Sequence, residues 1–187
     1  MLIVLSGPSG VGKDTLIRRL LELDGNLRYS VSCSTRPPRA GESDGVSYTF
    51  ISRERFQQLI EEGAFLEHAE YDGHMYGTLQ ERVERARAEG HEIVLKIDVK
   101  GAEQVREKFP DAVFIFLAPP SIQELVRRQE LRNSESSEAM AARRKIAELE
   151  MTFASKYDHV VVNDNLERAV AEVRAVIRDA HERQPQT

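Results

Sequence analysis

Three glycines and a lysine near the start of the chain have the spacing of a phosphate-binding loop. Gly7, Gly12 and Lys13 form the pattern GxxxxGK, with Gly10 between them. Small residues let backbone N–H groups turn toward an anion, the following helix adds its positive end, and the lysine reaches the terminal phosphates. An apolar run precedes the loop and helical spacing follows it, so we predict that residues 7–15 bind phosphate. A glycine-rich turn without a ligand is the alternative.

The residue that follows the lysine departs from the usual loop. Serine or threonine normally stands there and binds magnesium through its hydroxyl. Here Asp14 stands there, and Thr15 comes one place later. Oxygen atoms are the ligands that Mg²⁺ prefers, so Asp14 is the candidate metal ligand, directly or through water.

A second cationic site is predicted in a segment stiffened by proline and glycine. Arg36 and Arg39 stand in this segment, and their guanidinium groups can bind one phosphate together. The hydroxyl groups of Tyr48 and Tyr76 are further candidate donors. The alternatives are surface exposure for the arginines and core packing for the tyrosines.

The elements that position these residues alternate between apolar strands and helices. This order predicts an α/β fold with a doubly wound parallel sheet, whose first strand is the wholly apolar run Leu2–Leu5. Residues about 31–80 are strand-rich and are expected to form a small lobe, and residues about 121–155 are expected to form a helical lid. Both should overhang the phosphate loop, because ligands bind at the carboxyl ends of parallel strands. The core then comprises residues 1–30, 81–120 and 156–187.

Turn and cap residues give local predictions. Asp72-Gly73 predicts a hairpin turn after a strand over residues 64–71. Two pairs have the spacing of capping boxes at helix starts: Thr78 with Glu81, and Ser121 with Glu124.

Composition restricts the class of protein. A length of 187 residues suits one globular unit, and the net charge of −5 argues against a protein that coats nucleic acid. The single cysteine, Cys33, permits no internal disulfide and fits a reducing compartment. No apolar run has the length of a membrane span or a signal peptide, so we expect a cytoplasmic protein without nucleic-acid or membrane partners.

Five segments together resemble the guanylate kinase family, in order and across essentially the whole chain: GPSGVGKDT, STRPPRAGESDGVSYTF, FLEHAEYDGHMYGT, VLKIDVKG and VVND. The second segment is the most specific, whereas a phosphate loop alone occurs in many families. The resemblance implies a P-loop kinase that converts ATP and GMP to ADP and GDP with Mg²⁺. It also implies dGMP as a further acceptor and three moving parts: the core, a GMP lobe and a lid. The oligomeric state stays open.

The resemblance assigns GMP-binding roles residue by residue. Ser32 matches a serine that binds guanine O6, Glu67 matches the carboxylate that binds N1 and N2, and Asp98 matches an acid near the same edge. This agrees with chemistry, because guanine presents two adjacent donors at N1 and N2, whereas adenine lacks the N2 amine. The other matches are Arg36, Arg39, Tyr48 and Tyr76 at the GMP phosphate, with Glu42 and Thr78 beside them.

The resemblance likewise assigns the ATP site and the catalytic residues. The ATP-binding matches are Gly7, Pro8, Ser9, Gly10, Val11, Gly12, Lys13, Asp14, Thr15, Arg128 and Asn163. The catalytic set is Lys13 and Arg36 with two lid arginines, Arg132 and Arg143, whose alternative is a solvated helix face. No general base is expected, because the attacking phosphate oxygen is already anionic.

Two other functions fit part of the pattern. A non-catalytic guanylate-kinase-like binding module would typically have lost the phosphate loop, which is intact here. A ribose 1,5-bisphosphate kinase would also have Asp after the loop lysine, but would lack STRPPRAGE and Glu67.

A charge exchange distinguishes this chain from the usual family pattern. Where the family usually has serine and an acid, this chain has Asp14 and Lys96. The usual pair carries 0 − 1 = −1, whereas this pair carries −1 + 1 = 0. We predict that Lys96 pairs with Asp14 and keeps its carboxylate from repelling the phosphates. The alternative is that Lys96 points to solvent.

Overall fold

The computed structural model describes residues 1–130 and 137–183, and it describes no side chains between residues 129 and 143. The fold is α/β with a parallel sheet of five strands, as predicted. The chain divides into two compact units. The first unit is Met1–Leu2 with Asn26–Ala112, and the second unit is Ile3–Gly25 with Val113–Thr187.

In the described residues the strands, in chain order, are β1 Leu2–Ser6, β2 Leu27–Tyr29, β3 Cys33–Ser34, β4 Thr49–Phe50, β5 Phe65–Tyr71, β6 His74–Leu79, β7 Glu92–Lys96, β8 Val113–Ala118 and β9 His159–Val162. The helices are α1 Lys13–Leu23, α2 Arg53–Glu61, α3 Gln80–Ala88, α4 Val99–Lys108, α5 Ile122–Glu130, α6 Ser137–Thr152 and α7 Leu166–Arg183, with a 3₁₀ turn at Phe153–Lys156. None of these helices combines the length and the apolar composition that a membrane span requires.

The second unit is built on the parallel strands β1, β8 and β9. Ile3 lies opposite Val113 in the first pair of strands, and Ile115 lies opposite His159 in the second. Every residue of β1 and β8 is buried, which explains their unbroken apolar sequences. Because the strands are parallel, their carboxyl ends share one edge, and the residues that follow β1 and β9 meet there.

The first unit contains the parallel pair β2–β7 and a second sheet in the order β4-β3-β6-β5. The hairpin β5–β6 turns at Asp72 and Gly73, whose φ angles of 52° and 73° lie in the left-handed region. A small apolar core stabilises this sheet, and the rings of Phe56 and Phe65 stack there with centroids 4.4 Å apart.

Most local predictions are confirmed, and one is wrong. The Asp72-Gly73 hairpin forms, and Ser121 accepts from the Glu124 N–H at the start of α5. Thr78, however, caps no helix: it lies within β6, and α3 begins after Leu79 without a side-chain cap. The Thr78 hydroxyl donates to a buried carboxylate instead, and this tertiary contact outweighs the local capping signal.

Two boundaries differ from the sequence pattern, which predicts a strand over residues 93–98 and a helix that ends near residue 154. Strand β7 ends at Lys96, two residues before Asp98, because the Asp98 carboxylate caps α4 by accepting from the Gly101 N–H at 2.7 Å. The last turn before β9 is 3₁₀ rather than α-helical. The sequence also predicts a polar break over residues 133–137 and a disordered tail over 183–187, but Ser137 begins α6 and Arg183 ends α7, and the other residues of both segments lie outside the described ones. The three-part division into core, lobe and lid stays a prediction.

Candidate active site

The predicted phosphate loop of the second unit has the backbone that only glycine adopts easily. Gly7, Gly10 and Gly12 have φ angles of 144°, 88° and 104°. A Cβ on Gly7 would overlap the carbonyl oxygen of Leu117, and a Cβ on Gly12 would lie 2.5 Å from the Asn163 Nδ2 atom. Pro8, Ser9 and Val11 complete the turn into α1, within which the Val11 N–H donates to the Pro8 carbonyl at 3.2 Å.

The Lys13 ammonium lies against this loop. Its Nζ atom donates to the carbonyl oxygens of Gly7 and Pro8, the latter at 3.1 Å. These two hydrogen bonds hold the ammonium at the predicted phosphate loop. The binding of phosphate by Lys13 stays a prediction.

Asn163, the residue after β9, contacts the loop, and Arg128 of α5 contacts Asn163. The Asn163 side chain donates to the carbonyl oxygen of Val11 at 2.8 Å, and its backbone N–H donates to Ala118. Arg128 donates from Nη1 to the Asn163 carbonyl at 3.0 Å and from Nε to Glu124 at 2.9 Å. The side-chain amide of Asn163 therefore contacts the loop directly, and the sequence did not reveal this contact.

Asp14 and Thr15 occupy the first turn of α1. Asp14 is exposed and Thr15 is half-buried, and a carboxylate at this end of a helix is stabilised by the helix dipole. The described residues contain no cluster of three or more acidic, histidine or cysteine side chains that could hold a metal by themselves. Mg²⁺ commonly binds through one or two protein oxygens and the substrate phosphates, and Asp14 and Thr15 fit that mode.

The first unit brings three of the predicted GMP-binding residues together. Glu67 on β5 is only 4% exposed, and its Oε1 atom accepts from the Thr78 hydroxyl of β6 at 2.6 Å. The Thr78 oxygen lies 3.5 Å from the Ser32 hydroxyl, and both residues are buried. Together these side chains form a chain of buried polar groups, in which Thr78 lies between Ser32 and the Glu67 carboxylate.

Burial raises the pKa of Glu67 to about 7, because removal from water disfavours the charged form. The Thr78 hydroxyl opposes this shift by donating to the carboxylate, and the nearby Asp98 carboxylate adds to it. Asp98 itself caps α4, so one of its oxygens already has a backbone partner. A ligand with N–H donors would stabilise the ionised form of Glu67, which burial disfavours.

Gly101 is a site residue that the sequence analysis missed. It lies inside α4, where glycine is less favourable than alanine. A Cβ there would overlap the Glu67 Oε2 atom and lie 3.1 Å from its Cδ atom. A glycine three residues after Asp98, within a helical pattern, is the signal that could have identified it.

The predicted phosphate clamp is held together by an ion pair. Arg36 donates from Nη1 and Nη2 to the two Glu42 oxygens, both at 2.6 Å, and from Nη1 to the Pro37 carbonyl. The Arg36 hydrogen bonds lower the pKa of Glu42 to about 2, so the pair stays ionised at neutral pH. Glu42 also accepts from the Arg39 N–H at 2.8 Å. Glu42 thus positions the arginine loop.

The two tyrosines lie beside this loop. The Tyr48 and Tyr76 rings are 5.8 Å apart and nearly perpendicular, and the Arg36 guanidinium lies 4.9 Å from the Tyr48 centroid. Burial raises the pKa of Tyr76, which keeps its hydroxyl protonated as a donor. The side chains of Arg36, Glu42, Tyr48 and Tyr76 are therefore brought together, with Arg39 exposed at the rim.

The two predicted lid arginines cannot be placed. Arg132 lies outside the described residues, and Arg143 lies in α6 with its side chain outside them.

Comparison with known proteins connects this geometry to a family. The sequence model for guanylate kinase matches residues 1–180. A guanylate kinase of Caldanaerobacter subterraneus subsp. tengcongensis is 50% identical, over 95% of this chain and 86% of its own. The chain belongs to the guanylate kinase family. Members are nucleoside monophosphate kinases, so this chain is a nucleotide-dependent phosphotransferase.

Solved structures agree with this assignment. The crystal structure of guanylate kinase from Anaplasma phagocytophilum has a TM-score of 0.82 and 34% identity, and the match covers 99% of this chain and 87% of that one. A shikimate kinase from Bacteroides thetaiotaomicron has a TM-score of 0.53 at 15% identity, over 95% and 98% of the two chains. The latter likeness concerns the fold alone, which is that of P-loop kinases.

The raised pKa of Glu67 predicts an unusual dependence of stability on pH. A carboxyl whose pKa is raised from 4.5 to about 7 stabilises the fold while protonated, and this contribution is lost as pH rises from 4.5 through 7. Glu67→Gln cannot ionise. Its free energy of unfolding, relative to wild type, should therefore increase by about 2–3 kcal/mol between pH 5 and pH 8.

Urea unfolding at several pH values measures this difference. Glu107→Gln, at an exposed position of α4, is the control and should show no such trend. If the free energies of unfolding of Glu67→Gln and wild type differed by the same amount at every pH from 5 to 8, the prediction would be contradicted.

Proposed function

We propose that this chain catalyses the Mg²⁺-dependent transfer of the γ-phosphoryl group of ATP to GMP, which gives ADP and GDP. The observation that carries the proposal is the buried Ser32–Thr78–Glu67 group of the first unit. A buried carboxylate acceptor with a serine hydroxyl nearby suits a base with two adjacent N–H donors and one carbonyl. Guanine is the purine with that edge.

Glu67 supplies the selectivity in this proposal. Its carboxylate would accept from guanine N1–H and N2–H₂, and the Ser32 hydroxyl would donate to O6. Adenine has no N2 amine and an amine instead of O6, so AMP would leave the buried carboxylate without its donors. Both donors of guanine also favour the ionised form of Glu67, which offsets the cost of its burial.

The remaining residues orient and neutralise the phosphates. Arg36, Arg39, Tyr48 and Tyr76 would hold the GMP phosphate, with Glu42 fixing Arg36 and Asp98 lying near the base. Residues 7–15 would bind the ATP phosphates, with Lys13 at the terminal ones, while Arg128 and Asn163 support this loop. Arg132 and Arg143 would bring further positive charge to the transferring group.

The chemistry needs charge and position rather than a base. The GMP phosphate oxygen is already anionic, so the barrier is the repulsion between two phosphates. Bound Mg²⁺ would neutralise the β- and γ-phosphate oxygens, and Asp14 and Thr15 are the side chains that would hold it. Lobe and lid would close over both substrates and exclude water.

The wider role follows from the reaction. We infer a place in purine nucleotide metabolism, with dGMP as a further acceptor. We also infer a cytoplasmic location, which fits the single cysteine, Cys33, because it is buried and forms no disulfide.

The choice of acceptor tests the proposed function directly. ADP formation from MgATP should be fast with GMP and at least 100-fold slower with AMP at equal concentrations. Ribose 1,5-bisphosphate is the third acceptor, and faster turnover with it than with GMP would overturn the proposal. GMP-dependent thermal stabilisation without GDP formation would instead indicate a binding module.

Gly101→Ala should separate stability from acceptor recognition. The new methyl group displaces the Glu67 carboxylate, whereas α4 gains a better helix former. We expect an unchanged or higher melting temperature, at least a tenfold higher KM for GMP and an unchanged KM for ATP. Gly25→Ala, where a Cβ meets no atom within 4 Å, is the control. An unchanged KM for GMP in Gly101→Ala would show that Glu67 adapts without cost.

Glu42→Gln should weaken acceptor binding by freeing Arg36. The neutral amide loses one charged hydrogen bond, so we expect a KM for GMP raised about tenfold, or roughly 1.4 kcal/mol, with little change for ATP. Glu62→Gln removes an exposed ion pair with Arg55 and should leave both KM values unchanged. Equal increases in the KM values for ATP and for GMP in Glu42→Gln would argue against a positioning role of Glu42 in the GMP site.

A further inference from the structure

Lys96 lies at the edge of the predicted acceptor-phosphate clamp. It is the last residue of β7 and is partly buried. Its ammonium lies over the Tyr48 ring, 4.6 Å from the centroid, and 5.7 Å from the centroid of Tyr29. Distances below about 6 Å are those at which a cation is attracted by the negative face of an aromatic ring.

Tyr48 connects this lysine to the arginine loop. The Arg36 guanidinium also lies over the Tyr48 ring, at 4.9 Å, and Tyr76 meets the same ring edge-on. Two cations from different elements, β7 and the loop after β3, therefore contact one aromatic ring. Contacts with both cations, Arg36 and Lys96, therefore help to hold the Tyr48 ring in place.

We propose that Lys96 is a positioning residue of the acceptor site, whose ammonium orients the Tyr48 ring beside the arginine loop. This role rests on the proposed function, because it requires that Tyr48 contact the GMP phosphate. It differs from the predicted pairing of Lys96 with Asp14, which would act on the ATP and Mg²⁺ side of the reaction and stays a prediction.

The test compares Lys96→Gln, Lys96→Arg and Lys100→Gln in steady-state assays with GMP and MgATP varied separately. Lys100 is an exposed residue of α4 and serves as the control. Lys96→Gln should raise the KM for GMP about three- to tenfold, with the KM for ATP and the Mg²⁺ dependence unchanged. Lys96→Arg should restore most of the loss, since arginine keeps the charge and also binds aromatic faces.

A double-mutant cycle tests the connection through the ring. Tyr48→Leu and Lys96→Gln should together raise the KM for GMP by less than the product of their separate effects, because either change removes the same contact. Equal melting temperatures of the variants and wild type exclude a general loss of folding.

Three results would overturn the role of Lys96: an unchanged KM for GMP in Lys96→Gln, a change confined to ATP or Mg²⁺, or multiplicative effects in the cycle. Wild-type protein that fails to phosphorylate GMP would overturn the proposed function, and the role of Lys96 with it. Normal wild-type activity with any of the three results overturns the role of Lys96 alone.

Discussion

The carboxylate of Glu67 is almost completely removed from water, and within the fold one hydroxyl proton is directed at it. A buried charge is costly unless hydrogen bonds stabilise it, and the high pKa of Glu67 expresses this cost. The surrounding elements maintain the arrangement. The hairpin β5–β6 places Thr78 beside Glu67, and helix α4 approaches closely through Gly101. The first unit therefore holds a buried carboxylate whose ionised form would be stabilised by donors from a ligand.

The phosphate loop of the second unit depends on the same kind of close approach. Gly7 lets the loop pass the Leu117 carbonyl, and Gly12 leaves room for the Asn163 amide. At each of these positions, as at Gly101, a polar atom occupies the space that a side chain would fill. Rigid placement of donors before the substrate arrives is what phosphoryl transfer requires, since its catalysis consists mainly of positioning and charge.

Two positively charged side chains of this acidic chain, Arg36 and Lys96, are held by different kinds of contact. Arg36 is held by Glu42, whereas Lys96 is held by the faces of Tyr48 and Tyr29. An ion pair and a cation–π contact can each restrict the position of a charged side chain. The two kinds of contact meet at Tyr48, beside the predicted phosphate clamp.

The sequence by itself determined the fold class, the phosphate loop and the identity of most candidate side chains. These features depend on local spacing: GxxxxGK between an apolar strand and a helix, and Arg36 with Arg39 in a stiff segment. It also predicted the Asp72-Gly73 hairpin, because turn geometry is set by two residues. Only the tertiary structure decided what each side chain contacts. Thr78 has the spacing of a helix cap, yet its hydroxyl stabilises Glu67, eleven residues away on the paired strand. Gly101, Asn163 and Lys96 gain their importance from neighbours distant in the chain, and such neighbours are set by strand pairing and helix packing, which no local pattern records.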